Sequence, residues 1–299
     1  MFKPSIDIAI GILLHQNKIL VGWREAKQHQ GNKHEFPGGK VEEGETPLAA
    51  CRREVYEEVG VGLKDWSAFD VIHHEYDDVV VNLHLFQAIV PEALLNEVQQ
   101  PWSLYSREQL LDLNFPQANE GMIQRLYWPH QIKISEQLEI AKSLTQDQLL
   151  YWRVDSAPER VIELSELSVE HLSRLIVNTE LYQQLSSIQQ QYIATIHLKQ
   201  TQVLTFSAAD LKVGKRYIAA CHDLASIRHA QKIGCDALLL SPVLATETHS
   251  EATTLGWEQF ENLASQVDIP VFALGGMKAN ELNLAQQHGA YGIAGIRFL

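Results

Sequence analysis

The chain has 299 residues, of which 45% are hydrophobic and 20% charged, and its formal net charge is −13. These values are typical of a globular protein and exclude a disordered chain, while the negative charge argues against tracking along a long nucleic acid, whose phosphates are bound mostly by lysine and arginine. The length exceeds that of one usual domain, so two domains or one large barrel are expected.

Strand patterns alternate with helical ones in the first part of the chain. Alternating apolar residues predict four strands, at residues 6–14, 18–23, 69–76 and 79–88. A helix is predicted at residues 120–127. The first strand run is interrupted by Asp7 and is too short for a membrane span or a signal-peptide core, so we expect a buried strand and no membrane partner. This α+β layout predicts a first domain at residues 1–129.

Short apolar runs separated by helical stretches fill the rest of the chain. The runs are residues 132–135, 149–154, 175–179, 192–198, 216–222, 237–243, 271–276 and 292–296. Eight strands with helices between them predict a (β/α)₈ barrel, similar to a TIM barrel, at residues 130–299. No Gly/Ser-rich linker marks the boundary between the two predicted domains.

The three cysteines are Cys51, Cys221 and Cys235. They have no CxxC spacing and cannot all pair, which favours a reducing, cytoplasmic environment over a disulfide scaffold. No catalytic role is predicted for them.

A helix of about three turns is predicted after residue 46. Thr46 and Pro47 suit its N-cap and first position, and Gly60 suits its C-terminal cap.

This helix carries Glu54, Glu57 and Glu58 at i, i+3 and i+4, which places three carboxylates on one face. Like charges at this spacing repel, so the face is either solvated or occupied by a cation. Hard oxygen ligands favour Mg²⁺, with Mn²⁺ as the second choice, over zinc.

The segment GKVEEGETPLAACRREVYEEVGV, residues 39–61, resembles the signature of the Nudix hydrolases at every fixed position. The resemblance implies an α/β sandwich in which the loop and the helix of the signature hold Mg²⁺ against the diphosphate of a small nucleotide. It implies metal ligands at Glu54, Glu57 and Glu58, with the Gly38 carbonyl nearby.

The same resemblance implies that Arg53 and Glu45 form an ion pair that braces the loop against the helix. Two residues are candidates for the general base. Glu54 lies on the metal face, whereas Glu97 follows the long strand hairpin, where the family often places a base.

Three further segments resemble the MutT branch of the family, which hydrolyses 8-oxo-dGTP to the monophosphate and pyrophosphate. They are WRE at 23–25, NKHEFPGGKVEEGETP at 32–47 and FPQANE at 115–120. The expected function is therefore 8-oxo-dGTP diphosphatase activity in nucleotide-pool sanitation, which avoids mutations in DNA replication.

Four residues are implied in substrate binding, each with an alternative role. Asn119 would read the oxidised purine edge, or cap the helix that begins at residue 120. Phe36 would lie beside the base, or belong to the core. Arg24 would contact a phosphate, or be a surface charge. Lys40 would assist with phosphate, or brace the loop. The histidines, His34 included, lack paired metal-ligand spacing, so packing or exposure is expected for them.

The C-terminal part of the chain resembles thiamin phosphate synthase. The resemblance rests on AACHD at 219–223, SPVLATETHSEATTLGW at 241–257, VFALGGMKANEL at 271–282 and HGAYGIAGIR at 288–297. Backbone N–H groups of Gly275, Gly276 and Gly295 could cradle a phosphorylated ligand at the C-terminal face of the barrel, or these glycines could only permit tight turns.

The charged groups that a synthase needs for a Mg²⁺-diphosphate are mostly replaced. Asn178-Thr179 stands for Asn-Asp, the strand-end segment HLKQTQ at 197–202 has no acid, Arg153-Val154-Asp155 stands for Arg-x-Lys, and His249 replaces a lysine. Three hypotheses follow: a nucleotide hydrolase with a degenerate barrel, a bifunctional protein with thiamin phosphate synthase activity, and a hydrolase regulated by a ligand-sensing barrel.

Overall fold

The computed structural model describes residues 3–27, 31–155, 158–245 and 253–296. The chain divides into two compact units, the first ending at Tyr127 and the second beginning at Trp128. Among the helices of the described residues, none is long and apolar enough to cross a membrane.

Within the described residues, the first unit is built on a seven-stranded sheet. Its strands are Ser5–His15 (β1), Lys18–Arg24 (β2), Lys33–Glu35 (β3), Gly38–Lys40 (β4), Ser67–Glu75 (β5), Val80–Ile89 (β6) and Ser103–Tyr105 (β7). The main path runs β3-β2-β1-β6-β5, with β4 paired to β1 and β7 to β2. The β1–β6 pair is parallel and the other pairs are antiparallel.

The four strands and the second helix predicted for this unit are confirmed, with ends that differ by at most two residues. The strands β3, β4 and β7 were not predicted. Each has only three residues, which is too short to show an alternating pattern, and each exists because a longer neighbouring strand supplies its hydrogen bonds.

The first helix, Pro47–Val59 (α1), begins and ends as its capping residues predict. The Thr46 hydroxyl accepts a hydrogen bond from the Ala49 N–H at 3.2 Å, and the Gly60 N–H donates to the Tyr56 carbonyl at 3.1 Å with Gly60 in the left-handed region. Its apolar face is buried against the sheet, at Ala50, Cys51, Val55 and Val59. The opposite side of the helix therefore carries the charged residues.

The second helix, Glu120–Leu126 (α2), packs on the other face of the sheet. Gly121 of α2 approaches Ile72 of β5, and Ile72 is in register with Leu83, which is in register with Ile8 of β1. Ala9, the next residue of β1, packs in the core with α1. Because successive side chains of a strand alternate between its faces, α1 and α2 cover opposite sides of the sheet.

The second unit contains a closed barrel of eight parallel strands in the described part of the chain. They are Gln131–Ser135 (β8), Gln148–Trp152 (β9), Leu175–Asn178 (β10), Thr195–Leu198 (β11), Arg216–Cys221 (β12), Ala237–Leu240 (β13), Val271–Leu274 (β14) and Gly292–Gly295 (β15). All eight predicted runs are confirmed as strands, with ends that differ by at most three residues from those of the run.

Short helices connect most of these strands. They are Pro158–Glu163 (α3), Val169–Ser173 (α4), Thr179–Gln184 (α5), Ser187–Tyr192 (α6), Gln200–Thr205 (α7), Leu224–Ile233 (α8), Gly256–Ala264 (α9) and Leu282–Gln287 (α10). The barrel is filled by inward-facing apolar side chains, among them Ile134, Ile176, Leu239 and Phe272.

Trp128 closes the end of the barrel at which the strands begin. It is fully buried, its carbonyl accepts a hydrogen bond from the Tyr291 hydroxyl at 2.6 Å, and the Arg216 guanidinium lies 4.5 Å above its ring. This end is packed as core. A ligand site is therefore expected at the opposite end, where the strands end and where barrel enzymes carry their sites.

Candidate metal and nucleotide site

Two carboxylates of α1 converge on the glycine pair of β4. The Gly38 N–H donates a hydrogen bond to Glu58 Oε2 at 2.9 Å. The Glu54 carboxylate lies directly against Gly39, where a Cβ atom would overlap it. Any side chain at Gly38 would overlap the Ala9 carbonyl, and Gly38 has φ +154°. The glycine pair therefore allows the loop to approach both carboxylates.

Arg53 ties the loop of the Nudix signature to α1. Its Nε and Nη2 donate to Glu45 Oε1 and Oε2 at 3.2 and 3.0 Å, and its Nη1 donates to Glu54 Oε1 at 2.7 Å. Nη2 also donates to the Lys40 carbonyl at 3.2 Å. Arg53 holds the pKa of Glu45 below its usual range. The bracing ion pair predicted between Arg53 and Glu45 is present, and Lys40 takes part through its backbone.

Negative charge accumulates around Glu58. Burial, helped by the charges of Glu35 and Glu54, raises the pKa of Glu58 to about 7 against the opposing effects of the Gly38 N–H and Arg24. A buried carboxylate next to two others is stabilised in its ionised form by a cation. The donor set and its charge therefore fit a hard divalent metal ion such as Mg²⁺.

The third predicted ligand is not gathered with the other two. The Glu57 side chain is 58% exposed and lies 3.5 Å from Arg53 Nη1. In the part of the chain that the structure describes, no group of three His, Cys, Asp or Glu side chains is arranged to hold a metal ion. Arg53 accounts for this arrangement, because it draws the carboxylates of Glu54 and Glu57 to itself. A bound cation would have to compete with it.

Glu97, the other candidate base, is exposed at the end of the 3₁₀ turn Glu92–Glu97. The chain then returns to the C-terminal end of α1, where the Gln99 N–H donates to the Val59 carbonyl at 3.0 Å and Trp102 Nε1 donates to the Glu58 carbonyl at 2.9 Å. Glu97 thus lies on a loop that is anchored next to Glu58, without a hydrogen bond or ion pair to the α1 carboxylates among the described residues.

Arg24 is ion-paired rather than a solvated surface charge. Its Nε donates to Glu35 Oε2 at 2.7 Å, and its Nη2 contacts the same oxygen. The role of Glu35 could not be predicted from the sequence, because Arg24 lies on the neighbouring strand and the pair depends on the register of β2 with β3.

Aromatic side chains gather on the face of the sheet opposite α1. Phe36 stacks on Phe115 with ring centroids 5.0 Å apart, and His34 lies 5.8 Å from Phe115. Trp23 and Tyr105 contact His34 edge-on. Phe36 is buried, as the core alternative predicts. Burial lowers the pKa of His34, and its Nδ1 is buried without a hydrogen-bond partner in the described structure. The His34 ring therefore packs in this cluster, which is one of the two outcomes expected for the histidines.

Asn119 precedes α2 but does not cap it. Its backbone is helical, with φ −88° and ψ −10°, and its side chain makes no capping hydrogen bond. The capping alternative is therefore wrong. The physical reason is that Asn119 ends a 3₁₀ turn, in which its own N–H donates to the Pro116 carbonyl at 2.9 Å. The backbone is therefore already helical where α2 begins. The Asn119 side chain is nevertheless buried.

The barrel glycines occupy tight turns. Gly275 and Gly276 have φ +102° and +72°, and a Cβ at either would press on the segment from Pro242 to Ala245. Close approach of two backbones therefore requires glycine there. Gly295 is the last residue of β15 and is buried. The tight-turn alternative accounts for Gly275 and Gly276, and phosphate binding at the three glycines stays a prediction.

The segment 197–202, in which the expected acid is missing, builds a different polar cluster at the ends of β9, β10 and β11. Lys199 Nζ donates to Glu180 Oε1 at 2.9 Å, and Gln202 Nε2 donates to the same oxygen at 3.3 Å. Inside the barrel, Tyr151 stacks on His197 with ring centroids 4.5 Å apart, and its hydroxyl lies 3.1 Å from His197 Nδ1. His249, which stands where the synthases carry a lysine, lies outside the described residues.

Burial lowers the pKa of His197 to about 4, which makes barrel stability depend on pH. The unfolded state takes up a proton below its pKa of about 6.5 and the folded state does not, so stability falls as the pH drops from about 6.5 towards 4. Between pH 7 and pH 5 we expect a loss of about 2 kcal/mol from this group. Calorimetric unfolding of the full chain should show a smaller loss over this range in His197→Gln; equal losses would contradict the assignment.

Comparison with known proteins gives matches for both units. A family profile described as NUDIX domain matches residues 6–126, and one described as thiamine monophosphate synthase matches residues 155–299. The chain is 36% identical over 130 residues to the 8-oxo-dGTP diphosphatase of Escherichia coli K12, covering 41% of this chain and 96% of that protein. The protein of that name from Haemophilus influenzae is 32% identical over 130 residues, covering 42% of this chain and 94% of that protein.

The second unit has a shorter match among these relatives. The putative thiamine-phosphate synthase 2 of Aquifex aeolicus is 40% identical over 77 residues, covering 26% of this chain. The match spans 41% of the length of that protein, so it includes less than half of the relative.

Proposed function

The chain belongs to the Nudix hydrolase family through its N-terminal domain, and we propose that this domain is a Mg²⁺-dependent enzyme that hydrolyses 8-oxo-dGTP. Water would attack a phosphorus atom of the triphosphate, the bond to the bridging oxygen would break, and 8-oxo-dGMP, pyrophosphate and one proton would result. The observation that carries the proposal is the convergence of Glu54 and Glu58 on the Gly38–Gly39 loop, where burial and neighbouring acids favour a cation.

Glu54, Glu57, Glu58 and the Gly38 carbonyl would hold the metal ion, with Mn²⁺ as an alternative to Mg²⁺. The ion would neutralise charge that develops on the phosphate oxygens. Arg53 fixes Glu54 and the loop. The proton of the attacking water would go to a carboxylate, either Glu54 on the metal face or Glu97 on the adjacent loop.

Binding of the nucleotide would use the residues around this face. Arg24 and Lys40 supply positive charge for phosphate oxygens. Phe36 belongs to a buried stacked pair at the edge of the aromatic cluster, so we assign it a supporting role beside the base. The buried amide of Asn119 offers a donor and an acceptor to the oxidised purine edge.

Asn119→Ala is expected to lower kcat/KM for 8-oxo-dGTP about tenfold or more, and kcat/KM for dGTP much less, because a lost base contact reduces discrimination while the phosphate chemistry is shared. Steady-state kinetics with both nucleotides measure this ratio. Since Asn119 does not cap α2, the melting temperature should change little. Equal losses on both substrates would contradict the role in base recognition.

The experiment that tests the substrate class is a panel of nucleoside triphosphates, oxidised nucleotides, ADP-ribose and dinucleotides, incubated with the full chain and Mg²⁺. Release of pyrophosphate or phosphate is measured for each compound. Preference for ADP-ribose or for a dinucleotide would contradict the proposal while leaving the Nudix chemistry intact.

For the second domain, which is similar to thiamin phosphate synthases, we propose binding of a phosphorylated ligand without synthase activity. The absence of synthase activity is supported by the polar groups at these strand ends. A Mg²⁺-diphosphate would need acids there, whereas Lys199 and Gln202 both donate hydrogen bonds to Glu180. Ionising a diphosphate leaving group requires charge placed on it, whereas phosphate binding requires only suitably shaped backbone.

The test mixes the full chain with the pyrimidine diphosphate, the thiazole phosphate and Mg²⁺, and measures thiamin phosphate. We expect none. Product at an enzyme-like rate would favour the bifunctional alternative. Calorimetric binding of either phosphorylated compound, with an effect on nucleotide hydrolysis, would support a sensing barrel, and no binding would contradict the proposal.

A further inference from the structure

We infer that Glu35 is a positioning residue that holds the Arg24 guanidinium and thereby leaves the Glu58 carboxylate available to a divalent cation. The inference rests on the proposed function, because it concerns the same metal face. It adds Glu35, for which no role was predicted from the sequence.

The register of two strands places Arg24 and Glu35 side by side. Gly22 of β2 is opposite Glu35 of β3, and Arg24 is opposite Lys33, so Arg24 and Glu35 are diagonal neighbours on one face of the sheet. It is the face covered by α1, because Gly22 lies directly over Trp102, which donates its indole N–H to the Glu58 carbonyl.

The pair has the geometry of a firm ion pair. Both Nε and Nη2 of Arg24 reach Glu35 Oε2, and the two side chains are only 31% and 17% exposed. Partial burial and two contacts from one guanidinium make such a pair stronger than an exposed one with a single contact.

Glu35 and Arg24 are both close enough to Glu58 to influence it. Glu35 lies just before the Phe36-Pro37-Gly38 segment, the Gly38 N–H donates to Glu58 Oε2 at 2.9 Å, and Arg24 is paired with Glu35. A guanidinium beside a buried carboxylate competes with any metal ion for that carboxylate. Arg53 makes a pair of this kind with Glu54. Because Arg24 pairs with Glu35, the Glu58 carboxylate accepts a hydrogen bond only from the Gly38 N–H within the described residues.

The alternative is that the pair only fastens β2 to β3. A fastening role predicts a loss of stability when either residue is replaced, and no particular effect on metal affinity. A third possibility is that Glu35 itself ligates the metal. Replacing Arg24 in a Glu35 variant separates the three roles. The second replacement restores the Mn²⁺ affinity only if Glu35 acts by holding Arg24.

The experiment compares the wild type, Arg24→Ala, Glu35→Gln and the double variant. Mn²⁺ affinity without nucleotide is measured by electron paramagnetic resonance, and kcat and KM are measured with the best substrate of the panel. In Glu35→Gln, Arg24 turns to Glu58, so we expect Mn²⁺ affinity to fall about fivefold. In the double variant it should return to within about twofold of Arg24→Ala alone. Glu35→Asp should retain most of the wild-type affinity.

Asp70→Asn is the matched control, because Asp70 accepts from Arg125 at 2.9 Å in a similarly buried pair away from the metal face. It should lower the melting temperature and leave Mn²⁺ affinity unchanged. Unaltered Mn²⁺ affinity in Glu35→Gln would overturn the inference in favour of a fastening role. Loss that persists in the double variant would make Glu35 a ligand. The proposed function has its own test, because it would be contradicted if the wild type hydrolysed no nucleotide. The Mn²⁺ affinity is measured without nucleotide and does not depend on that result.

Discussion

Replacing Glu58 by glutamine is expected to lower kcat for nucleotide hydrolysis by about a thousandfold or more, because stabilisation of phosphate charge by a metal ion is worth several kcal/mol. Glutamine keeps the shape of the side chain and one oxygen, but it removes the charge that a metal ion needs. Steady-state kinetics under saturating Mg²⁺ measure the effect. Glu57→Gln should behave in the same way, although Glu57 lies 3.5 Å from Arg53 Nη1 in the structure.

The fold should survive Glu58→Gln. Burial and the nearby charges of Glu35 and Glu54 disfavour the ionised form of Glu58, so an uncharged amide should leave the melting temperature at pH 8 unchanged or higher. Glu43→Gln is the control, because Glu43 is an exposed acid on the same loop, and it should retain normal rates. Near-normal turnover in either Glu57→Gln or Glu58→Gln would show that the metal assignment is wrong.

Gly39→Ala is expected to lower kcat/KM by about a hundredfold with little change in stability, since a misplaced group of this kind costs about that factor. A Cβ at Gly39 would overlap the Glu54 carboxylate, which is the flexible end of a side chain and can move aside. The backbone would remain, but Glu54 would lose its place at the loop. Kinetics and calorimetry on the same preparation separate activity from stability.

Gly62→Ala is the matched control in this domain. A Cβ there would have only the Tyr56 ring within reach, at 3.9 Å. Normal activity is expected. If Gly39→Ala also retained full activity, the position of Glu54 against the loop would have no part in catalysis.

Local patterns explain which parts of the fold could be predicted. The ends of α1 follow from Thr46, Pro47 and Gly60, and its acidic face follows from spacing, because both depend only on neighbours along the chain. The barrel strands could be predicted because a parallel strand buried on both faces is a continuous apolar run. The strands β3, β4 and β7 depend on partners elsewhere and gave no such pattern.

The details of the site depend on contacts that are distant in sequence or set by side-chain direction. Spacing placed Glu57 on the same face as Glu54 and Glu58, but it carries no information on Arg53, which pairs with the carboxylates of both Glu54 and Glu57. The position of Asn119 just before a predicted helix allowed a cap as an alternative to base recognition, whereas the preceding 3₁₀ turn removes the need for one. Glu35 acquires its partner only through the register of two strands.

The most direct test of the proposed activity is the ratio of kcat/KM for 8-oxo-dGTP to that for dGTP, measured with the full chain and Mg²⁺ and with both products identified. The proposal predicts a ratio of at least about a hundred, since a site built to hydrogen-bond one base edge strongly rejects an analogue that lacks it. It also predicts 8-oxo-dGMP and pyrophosphate as products and no reaction when EDTA removes the metal. Equal rates on the two nucleotides, release of single phosphates, or turnover in EDTA would contradict it.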